Sequence, residues 1–187
     1  MTNFVVFASI PLLVAAAAGL YFWIRHRKRS TQIFELLHDP HLLAQWTYDP
    51  TDWRTAVNDE FTWASKHDLT GQCFISPSAV YVRSEHRDRL IDLARDGKVV
   101  TYASFLGTAG SPLKLRVRWK VVWRDDNGVE RVKYYKEDIR IPVPRGAEAA
   151  ALKVAEFFTM KIQADLTAYT NVLSDEDPIS LFGEDSF

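Results

Sequence analysis

The side chains able to do chemistry in this chain are few and scattered. His38-Asp39-Pro40-His41 brings two imidazoles and a carboxylate close together, residue types that hold zinc. Pro40 breaks the helix that would aim both rings at one metal, and no further Cys/His cluster completes a ligand set. His67 beside Asp68 and Glu85 beside His86 read as surface pairs. Cys73 is the only cysteine, so no internal disulfide forms, which suits a reducing cytoplasm. It precedes a predicted strand with no helix N-terminus to lower its pKa, and reads as a small buried hydrophobe rather than a nucleophile. There is no phosphate-binding glycine loop, nucleophile elbow or kinase signature. The chain is therefore expected not to be an enzyme, with no metal and no cofactor.

The chemistry that remains is electrostatic contact. From Lys114 to Trp123, Leu115, Val117, Trp119, Val121 and Trp123 alternate with Lys114, Arg116, Arg118 and Lys120. One face of this strand is read as core and the other as strongly basic. Arg131, Lys133, Lys136 and Arg140 from a partner strand would add to the basic side. A solvated face paired with Glu137 and Asp138 is the plain reading. Contact with anionic lipid headgroups or an acidic protein surface is the functional one.

Net charge is −1, which gives no case for nucleic acid. That total hides two opposed ends. Arg25, Arg27, Lys28 and Arg29 carry +4, while Asp175, Glu176, Asp177, Glu184 and Asp185 carry −5. Ile179, Leu181, Phe182 and Phe187 punctuate the acidic end, as in a tail that docks on a partner.

These groups are positioned by an anchor. Met1 to Ile24 contains no charged side chain, and Phe4–Ile24, about 31 Å as a helix, matches a hydrocarbon core. The basic cluster follows the apolar run, so the positive-inside bias predicts a single span with the N-terminus outside and the remainder cytoplasmic, in an inner (cell) membrane. A cleaved signal peptide would carry its charge before the run. Within the span, Pro11 predicts a mild kink, Ala15 and Gly19 permit close helix approach, and Tyr21 and Trp23 fall at the interface. The expected organisation is anchor and basic flank over 1–29, one α+β domain over 30–173, and an acidic tail over 174–187.

Within the domain, Ser30 or Thr31 is predicted to cap a short helix, or the anchor helix runs on. Asp49-Pro50 starts a second helix carrying Trp53, Val57, Phe61 and Ala64 on one face, packed on a sheet. Strands are expected over 74–82 and 99–106, with 88–95 either helix or strand. Asn127-Gly128 predicts a two-residue hairpin turn, placing Trp123 opposite Val132. The apolar phase of the returning strand then changes from Val132 and Tyr134 to Tyr135, Ile139 and Ile141, predicting a β-bulge near Tyr134-Tyr135. Ala147 to Leu173 completes the domain as a long amphipathic helix.

A curved antiparallel sheet of four to six strands, with hairpin 114–143 and a long C-terminal helix, is thus expected. This element order, over about Gln72 to Leu173, is similar to bacterial pleckstrin-homology-like domains attached to membrane helices. The resemblance implies, as an alternative, a pleckstrin-like barrel that senses lipid or ligand at a membrane. The primary expectation is a non-enzymatic single-pass scaffold or accessory subunit, docking its domain onto an integral-membrane protein complex such as a respiratory or photosynthetic one.

Overall fold

The computed structural model describes residues 3–165 apart from Lys66 and Ala109, and the side chains from Val14 onward apart from Ala15 and Ala16. The chain divides into two units, the first ending at Pro40 and the second starting at His41.

The first unit is one helix, α1 (Asn3–Leu37). The hydroxyls of Ser30 and Thr31 donate back to the carbonyls of His26 and Arg27, 3.0 Å each. They therefore sit inside a continuous helix and cap no new one. The His38 backbone N–H and ring Nδ1 both donate to the Phe34 carbonyl, at 3.2 and 2.9 Å, closing the last turn. Among the described residues no helix is long and apolar enough to cross a membrane. The span expected over Phe4–Ile24 has no support on that count, and the side chains of Phe4, Pro11 and Ala15 lie outside the description.

The second unit is α+β, as expected. β1 (Ala44–Tyr48), β2 (Gly71–Ile75), β3 (Ala79–Ser84) and β4 (Asp88–Asp92) form one antiparallel sheet in that order. β5 (Val99–Ser104), β6 (Pro112–Arg124) and β7 (Glu130–Pro142) form a second. The seven described strands exceed the expected four to six for two reasons. The run over 74–82 divides at Ser76-Pro77-Ser78, where the Ser76 hydroxyl accepts the backbone N–H of Ser78 and Ala79 at 3.3 and 3.2 Å, making the turn between β2 and β3. Asp88–Asp92 takes the strand alternative because β3 offers it a partner, with Val80 opposite Ile91 and Tyr81 opposite Leu90.

α2 (Pro50–Asp59) begins where Asp49-Pro50 places it. The Asp49 carboxylate accepts from the N–H groups of Thr51 and Asp52, 2.8 Å each, satisfying donors with no partner inside the helix. Its apolar face buries Trp53, Ala56 and Val57, and Phe61 and Ala64 follow them into the core from the turns beyond. α3 (Glu148–Ala164) packs on β5 and β1 through Ala151, Val154, Ala155 and Phe158. The rest of the long helix expected to Leu173 lies outside the described residues. One core, from Ala44 to Phe158, joins both sheets and these two helices. Tyr48 adds a polar tie between the sheets, its hydroxyl donating to the Pro142 carbonyl at 2.7 Å.

Hairpin β6–β7 departs from the expected register. Its pairing runs without a break from Pro112 opposite Pro142 to Arg124 opposite Glu130. The bulge near Tyr134-Tyr135 is absent because the extra residue sits in the loop. Gly128 N–H donates to the Asp125 carbonyl at 2.8 Å, Gly128 adopts φ 77°, and Asp125 N–H closes on the Val129 carbonyl at 2.9 Å. This is a three-residue loop, a turn followed by a left-handed residue, in place of the two-residue turn. Trp123 consequently faces Arg131, not Val132. The irregularity that does exist lies between Val100 and Tyr102 in the pairing of β5 with β6.

Candidate functional site

β5 accompanies β6 only as far as Arg118, which pairs with Val99. Beyond that point β6 has β7 alone, and the hairpin continues as a two-stranded ribbon through six further residue pairs. The alternation of β6 persists along it, but the core does not. Leu113, Leu115 and Val117 are fully buried, whereas Val121 and Trp123 on the same face are 42% and 45% exposed. Both were expected in the core. On the opposite face Val122, Val132 and Tyr134 are equally exposed, at 48%, 44% and 42%.

The phase change in β7 is therefore not a bulge. It marks a ribbon that carries apolar side chains on both faces. An isolated two-stranded hairpin is marginal in water, and exposed apolar side chains on both of its faces make the ribbon a candidate interaction site.

Charged groups mark the root of the ribbon. Glu137 pairs with Val117 at the rim of the core, and there meets Arg89 Nη2 at 3.7 Å and Lys98 Nζ at 3.9 Å. Lys98 also sits 4.7 Å above the Trp119 ring. Trp119 in turn stacks on its cross-strand partner Tyr135, centroids 5.4 Å apart and planes within 10°, and Lys133 lies 5.1 Å over Tyr135. Cation and π face thus alternate along this side, an arrangement favourable at exposed sites by about 0.5–1 kcal/mol per pair.

Lys114, Arg116, Arg118 and Lys120 share the outer face, as the alternation predicts, opposite Arg140, Asp138, Lys136 and Tyr134. Part of this charge is compensated. Arg116 Nε donates to Asp138 at 2.6 Å and holds its carboxyl below the usual carboxylate range. Arg140 reaches Glu60 at 3.0 Å. At the tip, the Val129 N–H and then Arg131 and the Asn127 N–H hold the Asp125 carboxyl low.

α1 displays a comparable apolar exposure. Leu20, Tyr21, Phe22 and Trp23 are all more than half exposed, and four successive helical positions cover every direction around the axis. A Cβ on Gly19 would meet nothing within 4 Å, and Arg27 stacks over Trp23 at 5.3 Å. The tail residues Ile179, Leu181, Phe182 and Phe187 lie outside the described residues.

The reactive side chains behave differently from these surfaces. Cys73 is buried, and burial pushes its thiol far above the ordinary value, so it has no thiolate to offer. Among the described residues His38 and His41 join no group of three metal-ligating side chains. The fold instead unites two pairs that were separate in the sequence: Asp68, Glu85 and His86 have ligand atoms within 4.8 Å of one another. Asp68 Oδ1 already accepts from His86 Nδ1, across eighteen residues of sequence. The side-chain hydrogen bond to Asp68 raises the His86 imidazole pKa. Burial pushes the Asp68 carboxyl up, but hydrogen bonds from Ser84 and His86 outweigh it and hold it low. The arrangement is an ion pair pinning the loop before β2 to the turn between β3 and β4.

An open groove of about 540 Å³ runs between α2 and the Pro112 and Pro142 ends of the hairpin, lined by Asp52, Asp59 and Glu60. Two of those carboxylates are engaged, Asp52 by the Arg145 N–H at 3.3 Å and Glu60 by Arg140. No protein-family model, curated protein or solved structure matches the chain.

Proposed function

We propose that this chain is a non-enzymatic, single-pass membrane subunit or scaffold whose α+β domain docks on an integral-membrane protein complex. On this proposal the complex is one such as a respiratory or photosynthetic assembly. The observation that carries the reading is the β6–β7 ribbon, an arm with apolar side chains exposed on both faces and cations interleaved among them. Uncharged Phe4–Ile24, the exposed Leu20–Trp23 stretch and the cationic flank Arg25, Arg27, Lys28 and Arg29 support the anchor, with the N-terminus outside and the domain cytoplasmic.

In this reading the ribbon and the outer cations Lys114 and Lys120 meet an acidic protein surface beside the bilayer. Tethering raises the effective concentration of the two surfaces, so a modest contact suffices. The test is mild-detergent extraction of the full chain followed by pull-down. Trp123→Ser with Val122→Ser and Val132→Ser should release the co-purifying membrane proteins while the chain stays in the membrane fraction. Recovery of the same partners by the triple variant would refute the ribbon as the docking surface, and migration of the native chain as a lone monomer would refute the subunit.

A second reading has its own observation. Two antiparallel sheets followed by α3 support comparison with membrane-tethered pleckstrin-like domains, although α2 interrupts the order between β1 and β2, and a cationic outer face suits anionic headgroups. Sedimentation of the domain with phosphatidylserine vesicles but not with neutral ones, independent of any protein partner, would favour it.

A further inference from the structure

Pairing of Gly71 with Ser84 sets the chain entering β2 beside the chain leaving β3. Asp68 lies on the first, Glu85 and His86 on the second. The turn that carries the latter two is fixed at its ends: Ser84 N–H and Oγ both donate to the Arg87 carbonyl, at 2.7 and 3.0 Å, and Arg87 N–H donates to Ser84 Oγ at 3.1 Å. Arg87 Nη1 also donates to the Trp63 carbonyl at 2.8 Å, which ties the turn to the segment leading to Asp68. Three ligand-bearing side chains thus converge within one fixed frame, their ligand atoms within 4.8 Å of one another.

An ion pair alone accounts for only part of this arrangement. The Asp68 side chain has no solvent exposure, yet its Oδ2 accepts no hydrogen bond from any described residue. His86 serves Oδ1, and the Ser84 hydroxyl donates to the Arg87 carbonyl. A carboxylate oxygen withdrawn from water without a donor is costly, and a bound cation is one of the few things that relieves it. Asp68 is the buried floor of the group, whereas Glu85 is exposed and the His86 side chain is 68% exposed, so a cation has a way in from solvent.

The ligand types select the ion. One imidazole nitrogen with two carboxylates suits zinc and its first-row neighbours, while calcium and magnesium take oxygen ligands. Zinc bonds of about 2.0–2.2 Å put ligand atoms about 3.4 Å apart in a tetrahedron. The trio therefore closes by at most about 1.4 Å, and the exposed Glu85 side chain supplies the movement.

We infer that Asp68, Glu85 and His86 bind one divalent transition-metal ion of the zinc class, which clamps the approach to β2 onto the β3–β4 turn. The ion takes the place of the Nδ1 proton between His86 and Asp68, the ring keeping its proton on Nε2, and the fourth position is left to water. Without the ion the two remain an ion pair. No metal is expected from the sequence, where Asp68 and Glu85-His86 lie apart, and the β2–β3 pairing is what joins them. The site uses no ribbon residue and is indifferent to what the ribbon binds.

Full-length chain, purified without a histidine tag in mild detergent and stripped with a chelator, is titrated with zinc by calorimetry, with thermal melts in parallel. One equivalent bound at micromolar zinc is expected, with a melting midpoint that rises with zinc concentration and stays in place with magnesium or calcium. Glu85→Gln and His86→Gln, both at exposed positions outside the core, should each weaken binding about tenfold or more and abolish the rise in midpoint. His38→Gln with His41→Gln should leave both intact. Zinc bound only at millimolar concentration, binding unchanged in Glu85→Gln or His86→Gln, or binding lost in His38→Gln with His41→Gln overturns the inference and leaves a bare ion pair. Magnesium or calcium raising the midpoint as zinc does overturns the class of metal.

Discussion

Two residues show how little slack the core has. Gly71 lies against the six-membered ring of Trp53, so that even a methyl group there would overlap it. Both belong to packed layers, Gly71 opposite Tyr48 in the β1–β2 pair and Trp53 on the buried face of α2. Gly71→Ala should cost about 1–3 kcal/mol, the usual penalty of overpacking, seen as a lowered midpoint in urea unfolding. The Asp68–His86 pair gives a pH-dependent counterpart. His86 is raised in the folded state, so its contribution is complete below the ordinary imidazole pKa and is lost as pH rises through the raised one. Asp68 is lowered, and its share is lost on acidification through its folded-state pKa. Asp68→Asn should return the His86 imidazole pKa toward the ordinary value in an NMR titration and flatten the alkaline side of the melting profile. A His86 titration unmoved by that substitution would dissociate the pair.

At the level of elements, the ribbon and the core should behave as separate things. From Lys120 to Lys136 the hairpin contributes no buried side chain. Replacing residues 121–133 by Asn-Gly, joining the paired positions Lys120 and Tyr134, should change domain stability by no more than about 0.5 kcal/mol. Phe158→Ala on α3, where the side chain is fully buried, should cost about 3–5 kcal/mol. Thermal or urea unfolding of both variants measures the contrast. Sequence legibility follows the same division. Asp49-Pro50 and the alternation from Leu113 to Val117 announce α2 and β6, because capping and burial act locally along the chain. The loop length at Asp125–Val129 is not announced, since Asn-Gly serves two-residue and three-residue loops alike. Val121 and Trp123 fit a core pattern in the sequence, and only the extent of β5 reveals that the core stops at Val117. The even positions Val132 and Tyr134 were the available signal, apolar side chains on a face that a core-bound strand would leave polar. The meeting of Asp68 with His86 depends on tertiary placement and leaves no trace in spacing.

For the whole molecule, the buried cluster runs from Ala44 to Phe158, with every member in the second unit. A chain beginning at His41 should accordingly fold with a single cooperative transition, which far-UV circular dichroism during thermal unfolding would register; a broad, non-cooperative melt would show that α1 is needed. Cys73 gives such experiments a built-in clock. It lies at the middle of β2, paired on both sides with Trp46 and Val82, with no solvent access. A thiol reagent added to the native protein can therefore reach sulfur only when the sheet parts. The pace of that labelling would time spontaneous opening events in the full-length protein, with no dye, tag or engineered probe.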